Sequence, residues 1–313
     1  MGEWRVHAAP PSEEFLRLRR TLEVPGQPPP ARLRDERWSF RVWASRLQVA
    51  REVTVEPAGE MPERGSEWVR PMGESPDRDV ILYLHGGGFR VGAPSTARSI
   101  TSHLSASTGL AVLSAAYPLA PEASIAGMVA SVMRTWRALH AERPDARLVL
   151  AGDSAGGYLA LALLDELEQR GEPAPAAVLL FSPLTVLDAV VDGREVRDPM
   201  LSPAMLAAVR RDARARRRQR ASASPGGASR AVVGSGRPAP MPMAAPMLVQ
   251  YGGLELLATS IESFAEQRSP SCEQMLVEEW SHAFHVWQLF AGMVPEADAA
   301  IASASAFVRD ALE

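Results

Sequence analysis

The sequence predicts an α/β fold, with a mostly parallel central sheet of about eight strands and helices on both faces. Three observations carry that expectation. Short apolar runs bounded by turn residues recur through the middle and end of the chain, and most are separated by stretches of helical periodicity. The 313 residues, 46% hydrophobic and 22% charged, suffice for one sizeable core with additions.

Val80 to Leu84, Ala111 to Tyr117, Arg147 to Ala151, Ala177 to Phe181, Met247 to Tyr251 and Gln274 to Val277 read as buried strands. Runs dense in Val, Ile and Leu suit strands covered on both faces. Helical spacing over Ile125 to Ala141, Ala155 to Gln169 and Leu254 to Gln267 fills the intervals, and the alanine-rich stretch Glu296 to Leu312 predicts a final helix. Arg51 to Glu56 and Glu67 to Arg70 alternate in polarity and predict an antiparallel edge. Two segments depart from this rhythm. Residues 1 to 48 carry Phe15, Leu16, Leu18 and Leu22, then Phe40, Val42, Trp43 and Leu47, at helical spacing around a proline run, and predict a helical appendage. Residues 188 to 245 open with a short helical signal and pass into an arginine-rich stretch with the composition of a loop.

Composition excludes several chemistries. All 33 basic residues are arginine, and asparagine is absent too. Schiff-base catalysis, attached pyridoxal phosphate, the lysine-bearing phosphate loop, Ser-Lys dyads and Cys-His-Asn triads therefore fall together. Cys272 stands alone, so neither an intramolecular disulfide nor a multi-cysteine metal site can form. The net charge of -4 exerts no global pull toward nucleic acid, and the seven arginines between 210 and 220 read as a solvated arm. No apolar run approaches the roughly 18 residues of a membrane span, and the first twenty residues lack a secretory pattern, which predicts a cytoplasmic protein.

Gly152-Asp153-Ser154-Ala155-Gly156 follows one predicted strand and opens a predicted helix, the context of a nucleophile elbow. Its small neighbours let the tight turn lift the Ser154 hydroxyl above the sheet edge. His85-Gly86-Gly87-Gly88 follows another strand, where backbone N–H groups of the glycines, with that of Ala155, can face a developing oxyanion. A dinucleotide fingerprint fails there because Val91 occupies the third glycine position. Gly234-Ser235-Gly236 with Ala239 fits that fingerprint only formally, since Pro238 and its surroundings are wrong for it. Beyond Ser154 the chain has two histidines, His282 and His285, and no aspartate between Asp212 and Asp298. An acid after the penultimate strand is then a glutamate: Glu255, with Glu262 and Glu266 further along the next helix. His282 and His285 with Glu278 or Glu279 form the metal-site alternative, which no ligand motif supports.

These residues resemble the bacterial hormone-sensitive-lipase-like esterases of the α/β-hydrolase fold, over most of the chain from about Val80 onward. Tyr117-Pro118-Leu119-Ala120-Pro121-Glu122 is similar to the family's YRLAPE, with proline replacing arginine. Asp198-Pro199 followed by Leu201-Ser202 resembles its cap segment, and Trp280 to Pro295 its tryptophan–histidine stretch. That alignment selects His285 over His282 and leaves 30 positions from Glu255 to His285, about the family's spacing.

The resemblance implies N-terminal cap helices over 1–48, a hydrolase core over 49–187 and 246–313, and a cap segment with its arginine-rich loop over 188–245. It implies an ester hydrolase with Ser154, His285 and Glu255 as a triad, an oxyanion hole of Gly86, Gly87, Gly88 and Ala155, short acyl chains and no cofactor. The partner is a small-molecule ester, and pairing through the edge strand near the C-terminus implies a homodimer. The alternative is a non-catalytic small-molecule-binding protein on the same fold. Departures lie in the stretch through Pro246 and in Ala130 and Ser131, which replace the family's Glu-Asp pair.

Overall fold

The computed structural model describes residues 2–23, 32–73, 79–187, 197–211, 245–272 and 274–313. Its strands are β1 (Glu3–His7), β2 (Val53–Pro57), β3 (Glu67–Pro71), β4 (Val80–Leu84), β5 (Ala111–Ala115), β6 (Leu148–Asp153), β7 (Ala177–Phe181), β8 (Met247–Gly252) and β9 (Met275–Trp280). They form a sheet in the order β1-β9-β8-β7-β6-β4-β5-β3-β2. The expected antiparallel edge is present: β2 pairs antiparallel with β3, and β3 with β5, while the other pairings are parallel.

Alternation along each strand builds two cores. Val80, Leu82 and Leu84 of β4 face one, and Ile81 and Tyr83 face the other. The first face is covered by α4 (Ile125–Glu142), α5 (Ser154–Arg170) and α7 (Ala258–Arg268), through Met128, Trp136, Leu159, Leu163 and Ile261. The second is covered by α1 (Glu13–Leu22), α3 (Arg98–Thr108) and α8 (Pro295–Ala311), through Phe15, Ile100, Leu104, Ile301 and Phe307. Right-handed crossovers between parallel strands demand helices on both faces, and this sequence supplies them with apolar stripes. A second N-terminal helix, α2 (Leu33–Ala44), and a helix α6 at 203–211 complete the described elements that flank the site.

The strand count exceeds expectation by one. Residues 1 to 48 were expected to be helical, yet β1 lies parallel to β9 in the register Glu3 to Leu276 through His7 to Trp280. Its side chains are largely exposed, so no burial periodicity marks it. Backbone pairing, the stack of His7 on Trp280 at 4.1 Å and the approach of His7 Nε2 to the buried Glu278 carboxylate at 3.6 Å hold it. Helix α3 also escaped the sequence reading, because its Ser- and Thr-rich stretch buries hydroxyls that bond back to helix carbonyls. The arginine run beyond Arg211 and the Gly234-Ser235-Gly236 match lie outside the described residues.

Candidate active site

The parallel strands end on one edge of the sheet, and the candidate residues come from the loops there. Ser154 begins α5 directly after β6, with φ of +49° in the left-handed region that a side chain normally avoids. That conformation costs about 1–3 kcal/mol and persists only where packing enforces it. Gly156 and Gly157 allow the enforcement, lying so close to the Leu84 carbonyl and to Pro183 that neither position has room for a larger residue.

His285 Nε2 lies 2.8 Å from Ser154 Oγ. On the far side of the ring, Nδ1 is 3.6 Å from Oε2 of the buried Glu255. This is ion-pair distance just beyond hydrogen-bond reach, and neither Glu255 oxygen has a hydrogen-bond partner among the described residues. A movement of about 1 Å closes it, as catalytic contacts commonly tighten with substrate bound. The histidine loop is fixed from behind: Ser182 Oγ accepts the Val286 N–H at 3.0 Å. His282 makes no such contact with Ser154. Glu262 is engaged elsewhere by the Tyr251 hydroxyl, and Glu278 and Glu279 are bonded by Gln250 and Ser303 and by Tyr251 and Ser281. Among the described residues no three His, Cys, Asp or Glu side chains cluster as metal ligands would.

Gly87 and Gly88 have φ of +113° and +60°, which turns the loop after β4 back toward the elbow. Among the described residues neither N–H finds an acceptor. The Ala155 N–H, at the first turn of α5, is an orphan donor by helix geometry. Gly86 points its N–H the other way, to Asp153 Oδ1 at 2.9 Å, so it seats the loop and is not free to face an oxyanion. The same oxygen accepts the Tyr83 hydroxyl at 2.7 Å. Asp153 was the overlooked residue inside the elbow, and its signal was a carboxylate ending an otherwise apolar strand. His85 stacks on Tyr117 at 4.3 Å, joining this loop to the proline-rich one.

Electrostatics follow burial. Burial pushes the Asp153 carboxyl up to about 6, against the opposing pull of Tyr83, the Gly86 N–H and His285. Burial pushes the His85 imidazole down to about 4, leaving it neutral. For His285, burial also acts downward, but Glu255, Asp198 and Asp153 together outweigh it and leave the imidazole above its ordinary value. A hydroxyl bonded to an imidazole that faces carboxylates, beside unpaired backbone donors, is equipped to attack a carbonyl carbon and stabilise the resulting oxyanion.

Known proteins share this arrangement of chain. The alpha/beta hydrolase fold family matches residues 81–289. An acetyl-hydrolase of Streptomyces hygroscopicus is 33% identical over 252 residues, covering 79% of this chain and 80% of its own. Esterase LipU of Mycobacterium tuberculosis is 30% identical over 290 residues, covering 88% and 93%. The crystal structure of an esterase from the bacterial hormone-sensitive lipase family superposes with a TM-score of 0.81 at 28% identity, over 96% of this chain and 99% of that one. With that much of its length and its sheet in common with such relatives, the chain belongs to the alpha/beta hydrolase family, in its bacterial hormone-sensitive-lipase-like branch, and is a hydrolase acting on esters.

Proposed function

We propose that the chain is a carboxylesterase for short acyl chains that works through an acyl-enzyme, with Ser154, His285 and Glu255 as its triad. The 2.8 Å hydrogen bond between His285 Nε2 and Ser154 Oγ carries this reading. As Ser154 Oγ bonds to the ester carbonyl carbon, its proton passes to Nε2, and Glu255 balances the imidazolium on the other side of the ring. The carbonyl oxygen, now an anion, is held by the N–H groups of Gly87, Gly88 and Ala155, each worth about 3 kcal/mol of barrier when aligned. Collapse breaks the carbon–oxygen bond to the alcohol, which leaves with the proton from Nε2. Water then repeats the sequence, giving its proton to Nε2, and the acid departs as Ser154 regains its hydrogen. Gly86, expected as a donor of the hole, instead seats the loop, because its N–H is taken by Asp153.

Two observations support short acyl groups. A relative is named an acetyl-hydrolase. Val209 of α6 packs over the oxyanion loop so tightly that a Cβ on Gly88 would lie 3.0 Å from its methyl group. The test is hydrolysis of p-nitrophenyl esters from acetate to palmitate. Turnover is expected to peak at the short end, and a folded protein inactive on every ester would instead favour the non-catalytic binding alternative. No observation in the site favours that alternative now.

Because His285 acts as base only when neutral, and its pKa is raised, kcat/KM should climb with pH through a midpoint above the ordinary histidine value of about 6.5. A profile already flat at pH 5 would rule out His285 as the base.

The homodimer implied by the resemblance belongs to this reading only in altered form. The outer edge of β9 is taken by β1, so sheet pairing between two copies at this end of the sheet runs through β1, where Trp4 and Val6 are exposed. Light scattering should return the mass of two chains, falling to one for Val6→Lys. A single-chain mass for the wild type at all concentrations removes the homodimer.

A further inference from the structure

Glu255 is not the only carboxylate held at the acid loop beside His285: another lies in the segment that the sequence matched only as cap, bonded to the residue next to Glu255. Asp198 is partly buried. Its Oδ1 accepts the backbone N–H groups of Met200 and Leu201, both at 3.0 Å, and its Oδ2 accepts that of Leu256 at 3.2 Å. The residue before it joins in: the Arg197 N–H donates to the Leu254 carbonyl at 3.1 Å. Leu254 and Leu256 are the two chain neighbours of Glu255, so the cap segment grips the acid loop on either side of the acid itself. From the opposite direction the histidine loop holds the same turn, through Leu254 N–H to the Ala283 carbonyl at 3.0 Å and Gly253 N–H to the Trp280 carbonyl at 2.9 Å. The Glu255 carboxylate, by contrast, accepts no hydrogen bond among the described residues. Its reach to His285 is therefore set by where the backbone of its loop is held.

We propose that Asp198 is a positioning residue for ester cleavage: it clamps the loop that carries Glu255 and sets a further negative charge toward His285. The inference rests on the triad reading. Each hydrogen bond to Asp198 comes from a donor, which the ionised carboxylate accepts without needing a proton of its own. The charged groups whose fields act on His285 are Glu255 from the acid loop, Asp198 from the cap segment and Asp153 from the end of β6, and all three favour the imidazolium. Burial raises the Asp198 carboxyl and so does the neighbouring Glu255 charge, while His285 and the backbone N–H groups of Leu256 and Met200 pull it back. Removing its charge lowers the His285 pKa, so the base stays neutral to lower pH and the acid limb of the rate profile moves down. Loosening the clamp acts separately, by letting Glu255 drift from the ring and lowering kcat.

The experiment compares wild type, Asp198→Asn and Asp198→Glu in pH–rate profiles for p-nitrophenyl acetate, with thermal melts of each. For Asp198→Asn we expect the acid limb to move down by about half a pH unit and kcat to fall about ten-fold, with KM within about two-fold of wild type. Asp198→Glu keeps the charge but misplaces the acceptor, so its limb should stay at the wild-type pH while kcat falls. A folded Asp198→Asn variant with an unmoved limb and an unchanged kcat overturns the proposal. Should that variant fail to fold, Asp198→Glu decides: wild-type kcat there overturns the clamp, and a lowered kcat at an unmoved limb supports it. A wild type without any acid limb refutes His285 as base, an outcome distinct from failure of the role given to Asp198.

Discussion

Ser154→Ala is expected to lower kcat/KM for p-nitrophenyl acetate by about ten-thousand-fold or more while leaving KM and the melting temperature close to wild type. The hydroxyl is small, its removal leaves no buried group of the elbow without a partner except His285 Nε2, and the strained turn is held by packing that alanine preserves. His285→Ala should cost about as much, and the double variant about the same again as either single one, because nucleophile and base act as a unit. The residual rate measures what the N–H groups of Gly87, Gly88 and Ala155 contribute alone. His282→Ala serves as the comparison and should keep activity within about two-fold, since His282 makes no contact with Ser154. Retention of a tenth of wild-type activity by Ser154→Ala would mean that the nucleophile lies elsewhere.

Gly156→Ala should be among the most damaging single substitutions to stability. The first turn of α5 crosses β4 with backbone against backbone: a Cβ at Gly156 would fall well inside contact distance of the Leu84 carbonyl oxygen and 2.6 Å from that of His85. Neither atom is the end of a flexible side chain, so the helix or the strand has to move. Overpacking of this kind reaches about 4 kcal/mol or more, which for a chain of this size lowers the melting temperature by about 10 °C. Activity should fall even below the transition, because the displaced strand end carries the oxyanion loop. Gly127→Ala in α4 provides the contrast. The nearest atom to its Cβ would be 3.5 Å away, so alanine fits and gains about 0.5–1 kcal/mol of helix stability. Thermal denaturation of the two variants checks both signs, and equal melting temperatures would show that the close approach at Gly156 is not a constraint.

Much of the site was legible in one dimension. Ser154 and the glycines after His85 announce themselves because strand-to-turn geometry needs small residues at fixed offsets, and that need is local. The buried strands β4 to β9 were equally plain, since a strand covered on both faces has to be apolar along its whole length. Glu255 stood out over Glu262 and Glu266 by its place just past the penultimate strand, where strand ends meet the crevice, whereas selecting His285 over His282 already required resemblance, because chain order alone leaves the two histidines open.

What only the tertiary structure decided shares one character: it depends on partners distant in sequence and leaves no periodic trace. β1 is short and exposed, its apolar Trp4 and Val6 included, and it exists because β9 offers it unpaired backbone groups across the whole length of the chain. Asp153 reads as an ordinary residue of a motif until Tyr83 and Gly86 are brought to its carboxylate. Asp198 reads as part of a cap until packing lays its carboxylate against the Leu256 N–H, next to Glu255, where its charge adds to that acting on the histidine. Sequence alone determined the fold class, the strand-to-helix turn at Ser154 and the glycine loop, because backbone sterics and burial periodicity act between near neighbours. The charge around the histidine and the seating of its acid were decided by folding, because electrostatics and hydrogen bonding act through space.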